Sequence, residues 1–211
     1  MRAAGRDGER RGCARLALNA QAARPPACRL PHGFAPSLIR PQKAQDQLAF
    51  SDKGANMIPS SIETHLAQFH AGWEHRIHPI AKSAQELAAC EHVSGYQVAK
   101  PVVVKLGGKL AIAVVSAVER VRLGALEEEI GEEAEVVAGQ ELVELFRPCD
   151  PGAEPPLRVF DVPIFVDANL AREPRLVMPG GTYNDAIVLD TAEWMRCERV
   201  QSIANLGART H

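Results

Sequence analysis

Lys100, at the start of a predicted β-hairpin, is the first candidate for a binding or catalytic role. Two β-branched apolar runs, residues 102–105 and 110–115, predict two strands, and the intervening Gly107 and Gly108 allow the positive φ of a tight turn. Because the runs are almost unbroken, we expect both strands to be covered on both faces. Lys100 precedes the first strand, so its ammonium group could reach over the rim of the sheet, where binding chemistry usually lies. A solvated lysine at a strand start is the structural alternative.

A glycine-rich segment, Gly180-Gly181-Thr182, precedes a predicted strand at 186–189. Two glycines let backbone N–H groups approach a ligand closely, and Thr182 adds a hydroxyl group. The usual meaning of such a pair is a turn before a strand, and this alternative stays open. The segment is not a phosphate loop, because the Walker spacing and its lysine are absent.

The segment 147–158 predicts a stiff loop, because its four prolines cannot continue a helix or a central strand. Loops of this length in compact domains are often functional. Cys149 lies in this loop beside Asp150, and an activated thiolate would need a nearby cation, which Lys100 could supply. We favour a packing cysteine over a nucleophile here.

These segments occur in a particular order along the chain: Val98-Ala99-Lys100 ahead of the hairpin, then a Gly152-x-x-x-Pro156 loop, then the glycine-rich turn with Thr182. In this order they resemble the three signatures of the YbaK and prolyl-tRNA-synthetase editing-domain family. His78-Pro79, followed by a predicted helix start at Ser83, resembles an early segment of the same family. The resemblance spans residues 57–196.

The resemblance implies an α+β fold: a single domain with a curved, barrel-like mixed β-sheet flanked by helices. The interleaving of predicted strands and helices without a steady βα rhythm favours the same class. Predicted helices include 60–70, with capping-box spacing at Ser60 and Glu63, and a second that begins with Ser83 and Glu86. Thr191 is the predicted cap of a final helix.

The resemblance also implies a function, hydrolysis of the ester that joins a mischarged amino acid to tRNA, with tRNA(Pro) as one candidate. It assigns a catalytic role to Lys100 and substrate contacts to a further set: His78, Gly152, Ala153, Pro156, Gly180, Gly181, Thr182 and Asp185. Many relatives carry histidine where this chain has Tyr183, which affects any role that needs an imidazole. The implied partners are the acceptor end of an aminoacyl-tRNA and a synthetase, with no cofactor and no metal.

Two other functions stay open at this point. One is a tRNA- or synthetase-binding module that keeps the fold without turnover. The other is hydrolysis of a different activated acyl ester, because a fold does not fix a substrate. The sequence specifies neither the amino acid nor the oligomeric state.

Charge divides the chain near Met57. Residues 1–56 hold ten Lys/Arg and four Asp/Glu, a balance of +6, and the remainder holds fourteen and twenty-two, a balance of −8. A domain with this negative charge cannot offer a broad surface for phosphate backbones. Binding of tRNA would need its few cations to cluster, and six fall in one window: Lys82, Lys100, Lys105, Lys109, Arg120 and Arg122.

The segment 1–56 shows no helical or strand period, so we expect a disordered extension before a domain at 57–211. The segment lacks the apolar run of a secretory signal. A mitochondrial transit peptide fits only in part, because Ser37 and Ser51 are its only serines. The simplest interpretation is upstream sequence included through an early start codon, and a functional tail is the alternative.

The five cysteines are widely and irregularly spaced, with no C-x-x-C pair, so neither a disulfide framework nor a zinc site is predicted. His75 and His78 are three apart, but Pro79 favours extended geometry that points them to opposite faces, so they do not predict a metal site. The sequence has no run of eighteen apolar residues, so it predicts no membrane span. Together these features favour a reducing cytoplasm.

Overall fold

The secondary structure of the chain is described by a computed structural model for residues 58–137 and 139–209. The helices are α1 (Ser60–Phe69), α2 (Ala84–Cys90), α3 (Leu123–Ile130), α4 (Gln140–Leu145) and α5 (Thr191–Cys197). The strands are β1 (Glu74–Ile77), β2 (Ala99–Leu106), β3 (Lys109–Ser116), β4 (Glu119–Val121), β5 (Ala134–Val136), β6 (Ile164–Asp167), β7 (Arg175–Pro179), β8 (Asp185–Asp190), β9 (Gln201–Ile203) and β10 (Gly207–Arg209).

The predicted hairpin is the centre of the largest sheet. Strands β2 and β3 pair antiparallel along their whole length, and the turn residues Gly107 and Gly108 have φ of 52° and 83°. The sheet order is β5-β2-β3-β6-β9, with parallel pairing of β3 to β6 and of β6 to β9. The sheet is therefore mixed, as predicted.

Two smaller sheets complete the domain. Strands β1, β8 and β7 form an antiparallel sheet, and β10 pairs with β4. The predicted α+β class is confirmed, and the sheets are open rather than joined in a closed barrel. Within the two described ranges, no helix has both the length and the apolar character needed to cross a membrane.

Apolar side chains cover both faces of the central hairpin, as its composition predicted. On one face, Val103 and Ile112 pack in a cluster that includes Leu66 of α1. On the opposite face, Val104 and Ala113 belong to a second cluster with the fully buried Leu126 of α3 and others. Alternation along each strand explains how one hairpin serves two cores.

Three local predictions were wrong. Lys100 lies inside β2 rather than before it, because cross-strand pairing with Val115 extends the strand. Ser60 is the first residue of α1 and makes no capping bond, since Pro59 takes the N-cap position. Thr191 likewise lies within α5, whose cap is Asp190, and the Asp190 carboxylate accepts from the Glu193 N–H at 2.8 Å.

The predicted start of α2 is confirmed. The Ser83 hydroxyl oxygen accepts from the Glu86 N–H at 3.2 Å, and the Glu86 carboxylate accepts from the Lys82 N–H at 2.7 Å. Residues 1–57, to which the prediction of a disordered extension mainly applies, lie outside the described residues.

Candidate functional site

One pocket brings together most of the residues that the sequence singled out. Its empty volume is about 410 Å³, including its open mouth. Four segments form it: the stretch from the end of β1 into α2, the start of β2, the proline-rich loop 147–158 and the turn between β7 and β8. The predicted residues in its lining are His78, Lys100, Gly152, Ala153, Thr182 and Asp185. Their separation in sequence shows that the fold assembles this pocket.

Lys100 lies at one wall of the pocket, and its side chain is held in place. Its ammonium group donates a hydrogen bond to the backbone carbonyl of Glu119, the first residue of β4. Burial, reinforced by the nearby Arg120, holds the pKa of Lys100 below the ordinary value of 10.5, while Glu119 opposes the shift. The wall of the pocket therefore carries a half-buried cation with donor protons to spare.

His78 has an unused ring nitrogen in the pocket wall. Its Nδ1 lies 2.7 Å from the carbonyl oxygen of Pro79 and must donate, because a carbonyl only accepts. In the neutral ring, Nε2 then carries a lone pair, and this buried atom has no partner among the described residues. A buried polar atom without a partner is uncommon and is a natural position for a ligand contact.

Asp185 fixes the other side of the pocket. Its carboxylate, fully buried, accepts from His75 Nε2 at 2.5 Å and from the Thr182 hydroxyl group. The Thr182 oxygen in turn accepts from the Asn184 N–H at 3.2 Å. Asp185 therefore orients Thr182 rather than offering a free carboxylate to a ligand.

Gly180 and Gly181 are not among the residues that line the pocket. A Cβ on Gly180 would lie 2.9 Å from the backbone of Asp185. Gly181 has φ of +100°, and a Cβ there would lie 2.8 Å from Pro59 and 2.9 Å from Ile62. The glycines permit close packing of the turn against its own strand and against α1.

The proline-rich loop, residues 147–158, is held by hydrogen bonds to the turn before β8 and to α5. The Gly181 N–H donates to the Ala153 carbonyl at 2.9 Å, and the Ala153 N–H donates to the Asp150 carbonyl at 2.9 Å. Pro156 is buried outside the pocket lining, and its carbonyl accepts from Trp194 Nε1 at 2.9 Å. The Ala153 amide therefore already has an acceptor within the loop.

Glu154 is a buried acid that sequence reasoning missed. It is 8% exposed and lines a second pocket, of about 750 Å³ including open solvent, which shares Pro101 and Gly152 with the first. Burial raises its pKa, and hydrogen bonds from the Glu154 and Gly152 amides oppose the rise. A carboxyl between Ala153 and Pro155 in a loop carries no sequence signal of burial.

Cys149 is unsuited to nucleophilic attack. Burial, with smaller contributions from Glu154 and Asp150, raises the pKa of its thiol to about 12. The neutral thiol packs in the same cluster as Phe146 and Leu157. This favours the packing cysteine over the nucleophile.

Tyr183 joins the turn before β8 to the proline-rich loop. Its hydroxyl donates to the Pro151 carbonyl at 2.9 Å, and its N–H donates to Asp150 Oδ2 at 3.0 Å. The Lys82 ammonium lies 5.7 Å from the centre of its ring. Tyr183 is absent from the pocket lining.

Comparisons with solved structures show that other proteins share this fold. A solved structure described only as a hypothetical protein matches with a TM-score of 0.64 and 20% identity, covering 70% of this chain and 99% of its own. Another, described as a candidate trans-editing enzyme for prolyl tRNA synthetase, matches with a TM-score of 0.61 and 20% identity, covering 68% and 92%. At these identities the two structures show a shared fold.

A search of curated proteins finds no significant match. The family model described as the aminoacyl-tRNA editing domain matches residues 78–197, which is more than half of the chain and runs from His78 through the loop and the turn to the end of α5. The chain therefore belongs to the aminoacyl-tRNA editing domain family.

Proposed function

We propose that this protein is a trans-acting aminoacyl-tRNA deacylase, which hydrolyses the ester between a mischarged amino acid and the terminal adenosine of a tRNA. The observation that carries the proposal is that one pocket is lined by both Lys100 and His78. The Lys100 ammonium is half-buried, and Nε2 of His78 has no hydrogen-bond partner among the described residues. Membership of the editing-domain family supports the substrate class.

The protein need not supply a strong nucleophile, because an aminoacyl ester is already activated. Water attacks the carbonyl carbon, the bond to the ribose oxygen breaks, and that oxygen leaves with a proton. Positioning of the ester and stabilisation of the developing oxyanion supply most of the rate. No thiolate nucleophile is needed, in agreement with the raised pKa of Cys149.

We assign to Lys100 the electrostatic binding of the substrate. Its ammonium binds the terminal adenosine end of the tRNA and holds the ester in the pocket. The Glu119 carbonyl takes one of its three protons and fixes its direction, leaving two for the substrate. An ammonium in partial burial interacts more strongly with an anion than one in water does.

His78 is the acceptor we assign to the substrate side. Its Nδ1 proton is committed to the Pro79 carbonyl, so Nε2 can accept a proton from water or from a ribose hydroxyl group. Because Nε2 is buried, substrate binding must bring the donor into contact with it. Thr182, held by Asp185, and the backbone of Gly152 and Ala153 form the wall for the amino-acid side chain.

The proposal also concerns which amino acid and which tRNA form the substrate. The similarity to a structure described as a candidate trans-editing enzyme for prolyl tRNA synthetase makes tRNA(Pro) the first choice. Tyr183 shapes the loop beside the pocket in place of the histidine of many relatives. We expect this change to affect which aminoacyl group fits.

The test is a deacylation panel with the purified chain. Ala-, Cys- and Ser-tRNA(Pro), correctly charged Pro-tRNA(Pro) and Ser-tRNA(Ala) are offered at equal concentration. We expect at least one mischarged substrate to lose its amino acid well above the spontaneous rate, while Pro-tRNA(Pro) stays charged. Spontaneous rates across the panel would contradict the proposal.

A binding module of the same fold is the second candidate. The net negative charge of residues 57–211 favours it over catalysis on many tRNAs, because a negative surface repels the phosphate backbone of tRNA. The two functions separate with Lys100→Ala. A deacylase loses turnover, whereas a module that docks on a synthetase keeps most of its affinity for that partner.

A further inference from the structure

A second group of chemically active side chains lies away from the pocket, where the end of α1 meets α5. A ring nitrogen of His70, a carboxylate oxygen of Glu193 and Sγ of Cys197 all lie within 4.8 Å of one another. Glu193 and Cys197 are four residues apart on α5, so they project from the same face of the helix. His70 follows α1 directly and is 3% exposed.

His70 is already oriented as a metal ligand would be. Its Nε2 lies 2.6 Å from Oε1 of Glu198, and both side chains are fully buried. Its Nδ1 is also buried and has no hydrogen-bond partner among the described residues. Histidines that bind metals almost always donate their other ring N–H to a carboxylate or carbonyl, which leaves the free nitrogen for the ion.

We propose that His70 Nδ1, the Glu193 carboxylate and Cys197 Sγ form a binding site for a divalent transition-metal ion, with zinc as the best match. Imidazole, carboxylate and thiolate are the three ligand types that zinc takes, with bonds of about 2.0–2.3 Å. Small rotations of the Glu193 and Cys197 side chains would bring the donor atoms to that distance from a common centre. Water would take the fourth position.

Glu198 completes the site without touching the ion. It accepts from His65 Nε2 at 2.9 Å, from His70 Nε2 at 2.6 Å and from the Arg158 N–H at 2.6 Å. These contacts saturate its two oxygens and keep it as a hydrogen-bond acceptor for His70. An ion placed among His65, His70 and Glu198 instead would have to displace the hydrogen bonds that both histidine rings make to Glu198.

The ion would have a structural role. It would join the residue after α1 to α5, and Trp194 of α5 holds the proline-rich loop through Pro156. Glu193 already points to this junction, because its Oε1 accepts from the Ala71 N–H at 3.1 Å. The second carboxylate oxygen is the one available to the ion.

Cobalt is the probe, because a cysteine thiolate bound to Co²⁺ produces a charge-transfer absorption band. The full chain is stripped with a chelator and titrated with Co²⁺ and then with Zn²⁺. We expect one equivalent of Co²⁺ to give the band and Zn²⁺ to displace it. A chain that binds neither ion, or binds Co²⁺ without the band, would overturn the proposal.

Variants locate the site. Cys197→Ser should lose the band and bind Zn²⁺ at least tenfold more weakly, whereas the matched control Cys90→Ser, a half-buried thiol on α2, should keep both. The double variant Cys13→Ser/Cys28→Ser should also keep the band. A band that survives in Cys197→Ser, or disappears in either control, would refute the assignment.

Two further measurements guard against a folding defect. Circular dichroism of Cys197→Ser should match the parent chain, and Zn²⁺ should raise Tm of the parent but not of the variant, since only a folded chain with the site gains from binding. Glu198→Gln should weaken Zn²⁺ binding roughly 10- to 100-fold through His70 alone. Equal Zn²⁺ affinity in the parent and in both variants would contradict the site.

Discussion

The hydroxyl group of Tyr183 donates a hydrogen bond to the carbonyl oxygen of Pro151 at 2.9 Å. This contact fastens the turn before β8 to the proline-rich loop on one side of the pocket. The backbone of the same residue donates to Asp150 Oδ2 at 3.0 Å, so one residue holds the loop twice. The side chain of Tyr183 spans this distance, which gives the residue a physical role in fixing the loop.

Tyr183→Phe removes only the hydroxyl contact. An exposed hydrogen bond contributes about 0.5–1.5 kcal/mol, so amide hydrogen exchange at Gly152 and Ala153 should accelerate roughly two- to tenfold. Tyr96→Phe, at a half-exposed ring under Arg209, is the control and should leave this loop unchanged. Identical loop exchange in the parent and Tyr183→Phe would show that the contact does not restrain the loop.

Gly181→Ala should destabilise the fold much more than Gly108→Ala. Both glycines have positive φ, +100° and +83°, which costs an L-residue about 1–2 kcal/mol. Only at Gly181 would the new Cβ also strike Pro59 and Ile62, adding an overpacking cost of about 1–3 kcal/mol. Urea unfolding measures both variants.

Gly108 provides the matched control because a Cβ there meets nothing within 4 Å. Equal losses for the two variants would mean that α1 does not pack against this turn as the structure has it.

Glu154→Gln should stabilise the protein at neutral pH. Burial raises the pKa of Glu154 above 4.5, so the folded state binds its proton more tightly than the unfolded chain does. The favourable contribution is complete below pH 4.5 and is lost as the pH rises through the folded-state pKa. Neutral glutamine avoids this loss. The gain in unfolding free energy should therefore be present at pH 7 and shrink below pH 4.5, and a pH-independent loss of stability would count against it.

The local signals in the sequence predicted the hairpin and α2 well. Gly107 and Gly108 mark a turn whose flanking β-branched residues need no distant partner to be recognised. Ser83 and Glu86 form their capping contacts within one turn of helix. In both cases the determinants lie within a few residues of each other.

The wrong or missing predictions concern features that depend on contacts between residues far apart in the sequence. Strand β4 pairs with β10, for example Arg120 with Ala208, and no pattern within either three-residue strand signals the other. Lys100 joined β2 because β3 is long enough to pair with it. The polar cluster around Glu198 was missed because its histidines lie more than 120 residues away in sequence.

The candidate site divides in the same way. The family resemblance identified Lys100, His78 and Thr182, all of which line one pocket. It also selected Gly180, Gly181 and Pro156, which are not among the lining residues, and a Cβ on either glycine would meet its neighbours at 2.8–2.9 Å. A motif alone does not separate residues that contact a ligand from those that shape the wall.

His78→Ala should lower kcat for deacylation by about 10²-fold or more, the usual loss when a general base is removed. Binding of a non-hydrolysable aminoacyl-adenosine analogue should fall much less. His92→Asn, at an exposed position with φ of 54°, is the control and should leave kcat unchanged. Unaltered kcat in His78→Ala would remove His78 from the reaction.

The proposed deacylase activity is tested by the initial rate at which the parent chain, Lys100→Ala and Lys109→Ala deacylate mischarged tRNA(Pro). Lys109, exposed in the hairpin, tests for a general loss of positive charge. We predict hydrolysis well above the spontaneous rate for the parent and for Lys109→Ala, and a loss of roughly 10²-fold for Lys100→Ala, the scale expected when the group that positions the reacting ester is removed. A parent chain that hydrolyses no mischarged tRNA, or a Lys100→Ala variant as fast as the parent, would contradict the account.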